Sequence, residues 1–439
     1  MTLVQLCIRL LKCPMLKLNC FAEAPLNDQD TADESEAWSE IMTDDLDSLD
    51  NRVERAMDSV PVPTENTFDV TLPAAHAYLG QNLEELRGRT ILDDGIYMNL
   101  PLLVKQSLLF PGQTLPMTVF GARIIDMLQT CIQNNRTFGV VCDYPEKGKI
   151  GTTAEIYEYT DSSLDYGRRE FRLKAKGRQR FKILNLTSSD HNKITAEVKI
   201  LPEITLGPPF LEQRLASLDH LRVFPDSEET FMRKQKRVEN WDAAVTAWPA
   251  WVYRQYDPKR LSNKIRHDLQ FLEIRGGSVP KDPVDLSFWV AQNVLINHDE
   301  RLALLSYDCA ISRLQREIKC LVDDKIYECA SCESLIGRQS HMFPMNREGP
   351  QGTYVNPGGV LHETITFYHV VGVMLSDSNP STEYSWFPGY AWTIASCKGC
   401  RRHVGWKFTA VQNDLKPKRF WGLTRRSLKN RDLRRESKE

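Results

Sequence analysis

Two C-x-x-C pairs late in the sequence constrain this chain more than any other feature: Cys329-Ala-Ser-Cys332 and Cys397-Lys-Gly-Cys400. Each pair places two thiols on one tight turn, and two such turns complete a tetrahedral sulfur cage of the kind that suits zinc. Residues 333–396 must then fold back, so that one ion staples both ends of a domain. Four thiolates leave no open coordination position, which points to a structural ion rather than a catalytic one. A redox dithiol needs one pair and leaves the second unexplained. Lys398 and Arg401 stand close by and can offset the thiolate charge. The other cysteines among the eleven, Cys7, Cys13, Cys20, Cys131, Cys142, Cys309 and Cys320, are scattered. This usage describes reduced thiols plus one metal site, not a disulfide framework, and predicts a cytoplasmic or nuclear address. His362-Glu363 opens like the metalloprotease motif H-E-x-x-H, but position 366 is Thr. His362 therefore reads as a core or hydrogen-bonded histidine.

A chain of 439 residues exceeds what one core usually supports and should divide into two or three domains. Its net charge of −2, with 26% charged and 41% apolar residues, gives no global pull toward nucleic acid or a membrane surface. The apolar N-terminus is interrupted by Arg9, Lys12 and Lys17, where a secretory leader needs an unbroken run, so an unstructured leader is expected. Residues 1–67 read as a disordered acidic arm, because a run such as Asp28 to Asp50 cannot bury enough apolar surface to offset its chain entropy.

Residues 68–204 alternate like short strands (YMNLPLLV, FGVVCDY, TTAEIYEY, REFRLKAKG, RFKILNL, KITAEVKILPE), with one helical segment at 122–133. Residues 205–321 turn helical, cut into pieces by Pro249, Pro258, Pro280 and Pro283. The last piece, residues 299–321, reads as one amphipathic helix with Leu302, Leu305, Ile311, Leu314 and Ile318 as its core stripe. Residues 322–425 return to β-type patterning, and 426–439 read as a basic, disordered tail. The expected fold is a multidomain α+β chain whose C-terminal zinc domain consists of two antiparallel sheets.

Two aromatic groups stand out. Trp386, Trp392, Trp406 and Phe408 lie close together around the second C-x-x-C pair; Trp406 and Phe408, at i and i+2, share a strand face. Composition alone makes them the core of a small domain. The alternative is a three-walled indole box that takes a small ring or a cation. In the helical part, Trp241, Trp248, Trp251, Tyr253 and Tyr256 crowd together, first as core and second as an interface.

The run Tyr354-Val-Asn-Pro-Gly-Gly, then His362-Glu-Thr, Ser381 to Trp392, the second C-x-x-C pair, Gly405-Trp-Lys-Phe-Thr-Ala and Phe420 to Arg425 resembles the CULT (β-tent) domain of the cereblon family. Ala77-Tyr-Leu-Gly80, Pro111 to Pro116, Arg136-Thr-Phe138, Gly151 to Ile156 and Gly177 to Phe181 resemble that family's Lon N-terminal-like domain, so the likeness spans roughly residues 68–425. The resemblance implies a non-catalytic substrate receptor of a cullin-4 RING ubiquitin ligase. Its helical part would dock on a β-propeller adaptor, damage-specific DNA-binding protein 1, and its pocket would take cyclic imides: glutarimide drugs or C-terminal imides of substrate proteins. It implies a cage of Trp386, Trp392 and Trp406 backed by Phe408. The Tyr384 carbonyl and the Trp386 N–H would meet the imide beside Ser385, with Asn356 and Pro357 on a sensor loop above. The chain departs from the pattern at Tyr384, where the family has His, and at Gly358, where a His is expected; two glycines would make the loop more mobile. Two enzyme readings compete. A Lon-type protease lacks its P-loop here. A zinc-stapled methionine sulfoxide reductase-like enzyme lacks a spare cysteine after residue 332, since Cys397 and Cys400 go to the metal.

Overall fold

The computed structural model describes residues 62–431, apart from 64, 81, 144, 164–168, 191–192, 206, 208–215, 222–227 and 322–323. Most of the acidic arm and residues 432–439 of the basic tail lie outside them, as do residues 208–215 and 222–227 of the part expected to be helical.

The first half is built on strands β1 (Glu84–Glu85), β2 (Ile96–Lys105), β3 (Thr114–Val119), β4 (Thr137–Cys142), β5 (Ile150–Ser163), β6 (Arg169–Asp190) and β7 (Lys193–Leu201). Their pairings close on themselves: β5 to β4, β4 to β2, β2 to β7, β7 to β6, and β6 back to β5, with only β2–β4 parallel. Closure removes most exposed edges. Inside the ring there is no room for a side chain at Gly151, where a Cβ would lie 2.5 Å from the Phe181 ring. The segments expected as separate strands at 169–177 and 180–186 are one continuous strand, β6. Gly177 does not break it, because its missing Cβ lets the backbone press against the Phe110 carbonyl. β3 escaped the sequence reading because Pro116 interrupts it; at the sheet's end, a missing N–H is tolerated.

Helix α1 (Thr71–Ala75) precedes these strands and α2 (Ala122–Gln133) packs on them through Ile125, Met127, Leu128 and Cys131, over the span its periodicity predicts. The middle of the chain forms α3 (Glu228–Ala244), α4 (Ala250–Arg254), α5 (Pro258–Asp268), α6 (Gln270–Ile274), α7 (Pro283–Asn293), α8 (His298–Ser306) and α9 (Ala310–Leu321). Asp257 and Asp282 cap the starts of α5 and α7, each followed by Pro at the first helical position. The single helix expected at 299–321 is two. Tyr307 is extended, and its carbonyl accepts from the guanidinium groups of Arg180 and Arg313 instead of a helical N–H. Leu302, placed in the core stripe by periodicity, is 40% exposed as a result. Among the described residues no helix is long and apolar enough to cross a membrane.

The last part contains β8 (Ile326–Cys329), β9 (Leu335–Arg338), β10 (Gln351–Val355), β11 (Leu361–Phe367), β12 (Val373–Leu375), β13 (Tyr390–Cys397), β14 (His403–Ala410), β15 (Arg419–Thr424) and β16 (Leu428–Asn430). They form two antiparallel sheets, β10-β11-β15-β14-β13-β12 and β16-β8-β9. Two expectations are corrected here. The basic tail does not begin at 426: Leu428 to Asn430 pair with β8, held by burial of Leu428. Nor does the arm extend to 67. The Thr67 N–H donates to the Lys416 carbonyl, Glu65 pairs with Lys416, and Phe68 is buried against Tyr390 and Phe387.

The helices and the zinc-side sheets share one core, in which Leu286, Trp289 and Leu314 pack with Tyr327, Phe367 and Cys397. Within it, Arg425 is buried and donates to the Gln292, Val294 and Ile296 carbonyls at the end of α7. Nearby, buried Arg301 pairs with buried Glu363 at 3.0 Å. Burial pushes the Glu363 carboxyl up, yet Arg301 and Arg425 more than offset this and hold it below the usual range.

Candidate metal centre and tryptophan cluster

Cys329 ends β8 and Cys397 ends β13; both are buried, whereas Cys332 and Cys400 are half-buried. The two turns are built alike. After each pair comes a residue in the left-handed region, Glu333 with φ 62° and Arg401 with φ 60°. The Glu333 N–H donates to the Cys329 carbonyl and that of Arg401 to the Cys397 carbonyl, at 3.0 and 2.9 Å. Where the turns meet, a Cβ on Gly399 would lie 2.5 Å from Ser334 Oγ and 3.2 Å from Cys332 Sγ, so only glycine fits.

The four sulfurs lie within 4.8 Å of one another, with Cys329–Cys400 at 3.7 Å and Cys332–Cys397 at 3.5 Å. Zinc–sulfur bonds of about 2.3 Å at tetrahedral angles put sulfurs about 3.8 Å apart, so the set fits a structural zinc ion. Hydrogen bonding from Ser334, first by its side chain and then by its backbone, pulls the Cys332 thiol down to about 6, favouring the thiolate that a metal needs. Lys398 and Arg401 are exposed beside the centre, where their charge can act.

Trp392 on β13 stands opposite Phe408 on β14, and Trp406 stands opposite Gly422 on β15. Trp386 precedes β13; it is buried and stacks on Tyr354 at 5.0 Å with an interplanar angle of 11°. Trp386 and Trp406 meet edge to face, with ring centroids 4.8 Å apart. Phe408 lies behind, stacked on Phe420 at 5.0 Å. The Trp392 indole N–H donates to the Glu383 carbonyl at 2.8 Å, and its backbone pairs with Ser381 in both directions. These bonds hold the turn carrying Tyr384 and Ser385. Tyr384 is 56% exposed with φ 52°, and the Ser385 hydroxyl donates to the Phe387 carbonyl.

Asn356 clamps its own loop. Its Oδ1 accepts from the Val360 N–H at 2.8 Å and its carbonyl accepts from Gly359 at 2.9 Å. The loop expected to be loosened by two glycines is thus a closed turn, and a Cβ on Gly359 would lie 2.8 Å from the Thr118 carbonyl of the barrel. Asn356, Pro357 and Tyr384 line a cavity of about 310 Å³ together with Thr118, Glu170 and Arg172. Sequence reasoning missed these barrel residues, since nothing in the sequence places residues so far apart together. His362, read from the sequence as a core or hydrogen-bonded histidine, packs within the cluster, its ring 5.1 Å from Trp406 and 5.6 Å from Trp386. Burial, then His403 and Arg426, lower its pKa and keep it neutral at pH 7.

The family model for the ATP-dependent protease La (LON) substrate-binding domain matches residues 99–323. That for the Yippee zinc-binding/DNA-binding and Mis18 centromere-assembly family matches 325–439. Among curated proteins, the chain is 37% identical over 382 residues to cereblon of Gallus gallus, covering 83% of this chain and 85% of that one. It is 37% identical over 414 residues to cereblon of Danio rerio, covering 90% and 93%, and equally identical over 386 residues to cereblon of Xenopus tropicalis, covering 84% and 86%. Both halves of the architecture, and a likeness that runs through most of each of these relatives, place this chain in the cereblon family.

Proposed function

We propose that the chain is the substrate-recognition subunit of a cullin-4 RING ubiquitin ligase, working in the cytoplasm and nucleus. It binds cyclic imides, or substrate proteins ending in one, at the tryptophan cluster. The observation that carries this reading is the convergence of Trp386, Trp392 and Trp406 on the exposed turn at Tyr384–Ser385. Indole walls bury the faces of a small ring, and backbone groups at the turn complement the imide's alternating acceptors and donor. Trp386, stacked on Tyr354, and Trp406 stand at 75° to one another, so they adjoin as two walls of a box and do not face each other as a sandwich.

The helical part supports adaptor docking. Trp248 and Trp251 are 49% and 59% exposed and Trp241 is 37% exposed, so these indoles are not the core that composition first suggested. Exposed indoles grouped on one short stretch are what a protein partner buries as hot spots. Ubiquitin transfer then follows from proximity on the assembled ligase, without catalytic groups on this chain.

The test is a glutarimide titration of the full chain, read by tryptophan fluorescence and calorimetry. Saturable binding abolished by Trp392→Ala is expected; absence of binding by the folded, zinc-loaded protein would refute the imide site. Trp248→Ala with Trp251→Ala should abolish adaptor binding and leave imide binding intact.

A further inference from the structure

Away from the zinc centre and the tryptophan cluster, the described residues bring three metal-binding groups together at one more place. Cys142 ends β4, Asp143 follows it, and His298 opens α8. Cys142 Sγ lies 3.7 Å from His298 Nε2, and the ligand atoms of all three side chains lie within 4.8 Å of one another. We propose that Cys142, Asp143 and His298 form a second zinc site, completed by solvent water, that clips the barrel to the helical region.

The geometry fits zinc without rearrangement of the backbone. Bonds of about 2.3 Å to sulfur and about 2.0 Å to nitrogen at a tetrahedral angle separate the two ligand atoms by about 3.5 Å. The positions are fixed by separate elements. Cys142 pairs with Lys105 in the parallel register of β2 and β4. Asp143 adopts φ 59° while its N–H donates to the Lys105 carbonyl, and this left-handed turn brings its carboxylate back to the thiol. His298 is presented by a helix start that Asn297 caps through a 2.8 Å bond from the Glu300 N–H.

The charges fit as well. A thiolate and a carboxylate balance a dication while the imidazole stays neutral, and a mixed sulfur, nitrogen and oxygen set suits borderline-soft zinc. Asp143 and His298 are exposed, so water can reach the fourth position, whereas Cys142 is 8% exposed.

The experiment measures zinc per chain on the full-length protein, after saturation and gel filtration. Two ions are expected in the wild type and one in His298→Ala and in Asp143→Ala. Both positions are exposed, but Ala is strained in the left-handed conformation of Asp143, so circular dichroism of each variant accompanies the zinc count. With cobalt in place of zinc, the wild type minus His298→Ala spectrum should show a thiolate-to-cobalt band that is also lost in Cys142→Ser. One ion in the saturated wild type would overturn the site, as would a second ion that persists in all three variants.

Discussion

The zinc centre, which joins β8 of one sheet to β13 of the other, and the tryptophan cluster, which shares β13, are organised by opposite principles. In the centre, backbone does the positioning: two turns of the same design, each closed by a left-handed residue, hold four sulfurs near tetrahedral spacing. In the cluster, side chains do it, and the rings satisfy one another by edge and face contacts. A site set by backbone is rigid and specific for one occupant. A site set by mutual aromatic contact depends on the packing of its neighbours. The largest expected effect tests the rigid half. Cys397→Ala should cost on the order of 10 kcal/mol and abolish cooperative folding of the zinc-side sheets, because structural zinc binding is folding free energy. Since Cys397 also belongs to the core shared with the helices, near-UV circular dichroism should report disruption beyond the zinc turns. Chelation should reproduce it. Retained cooperativity without metal would show that the aromatic core suffices.

Next in size is the buried pair between Arg301 and Glu363. Glu363→Gln leaves the Arg301 and Arg425 charges buried without a counter-ion and should cost about 3–5 kcal/mol by chemical denaturation. Glu363 neighbours His362 on β11, so the variant also asks whether the cluster depends on this latch. Unchanged glutarimide affinity at reduced stability would separate the cluster from the latch; a parallel loss of affinity would join them.

The two regions differ in the same way in how far the sequence revealed them. Cys329, Cys332, Cys397 and Cys400 were legible because each pair is local and only one geometry uses two such pairs. The indoles were legible as residues, but not in their arrangement. Trp386 takes its position from Tyr354, and the cavity beside Tyr384 takes its wall from Thr118, Glu170 and Arg172 of another domain. Such contacts leave no periodicity behind. The strands of the barrel and helix α2 followed from alternation and helical spacing. The break at Tyr307 did not, because it depends on Arg180 and Arg313 reaching carbonyls from elsewhere in the fold. The strand Leu428–Asn430 was hidden by the basic residues around it.

A third effect, smaller again, probes what surrounds the cluster. His76 is buried against Tyr78 and Tyr354, the residue under Trp386. Burial, then Lys174 and Lys176, lowers its pKa to about 3; burial, then His369, lowers that of His341 to about 4. A histidine kept neutral in the fold but free to protonate when unfolded stabilises fully above pH 6.5. That stability is lost progressively as pH falls from 6.5 toward the folded value. At pH 5 each should have cost about 2 kcal/mol relative to pH 7. His341→Gln should remove its share of the slope in a stability-versus-pH series. If both halves melt together at every pH, the acid response belongs to the shared core and not to the cluster.

The smallest effect falls on the turn that joins the two principles. Tyr384 is exposed and held in the left-handed region by the bond from the Trp392 indole to the neighbouring Glu383 carbonyl. Its side chain therefore contributes little to the fold, and Tyr384→Phe should leave stability unchanged within about 0.5 kcal/mol. Its backbone carbonyl, the group suited to accept from an imide N–H, stays in place in that variant. Glutarimide affinity should then fall by no more than about tenfold, the worth of one neutral hydrogen bond from the phenol. Tyr384→His introduces the residue type that the sequence resemblance leads one to expect at this turn and should match or exceed the wild type. A loss far above tenfold in Tyr384→Phe would mean that the phenol itself organises the pocket. The cluster would then be less self-sufficient than its ring contacts indicate, and closer in kind to the zinc centre.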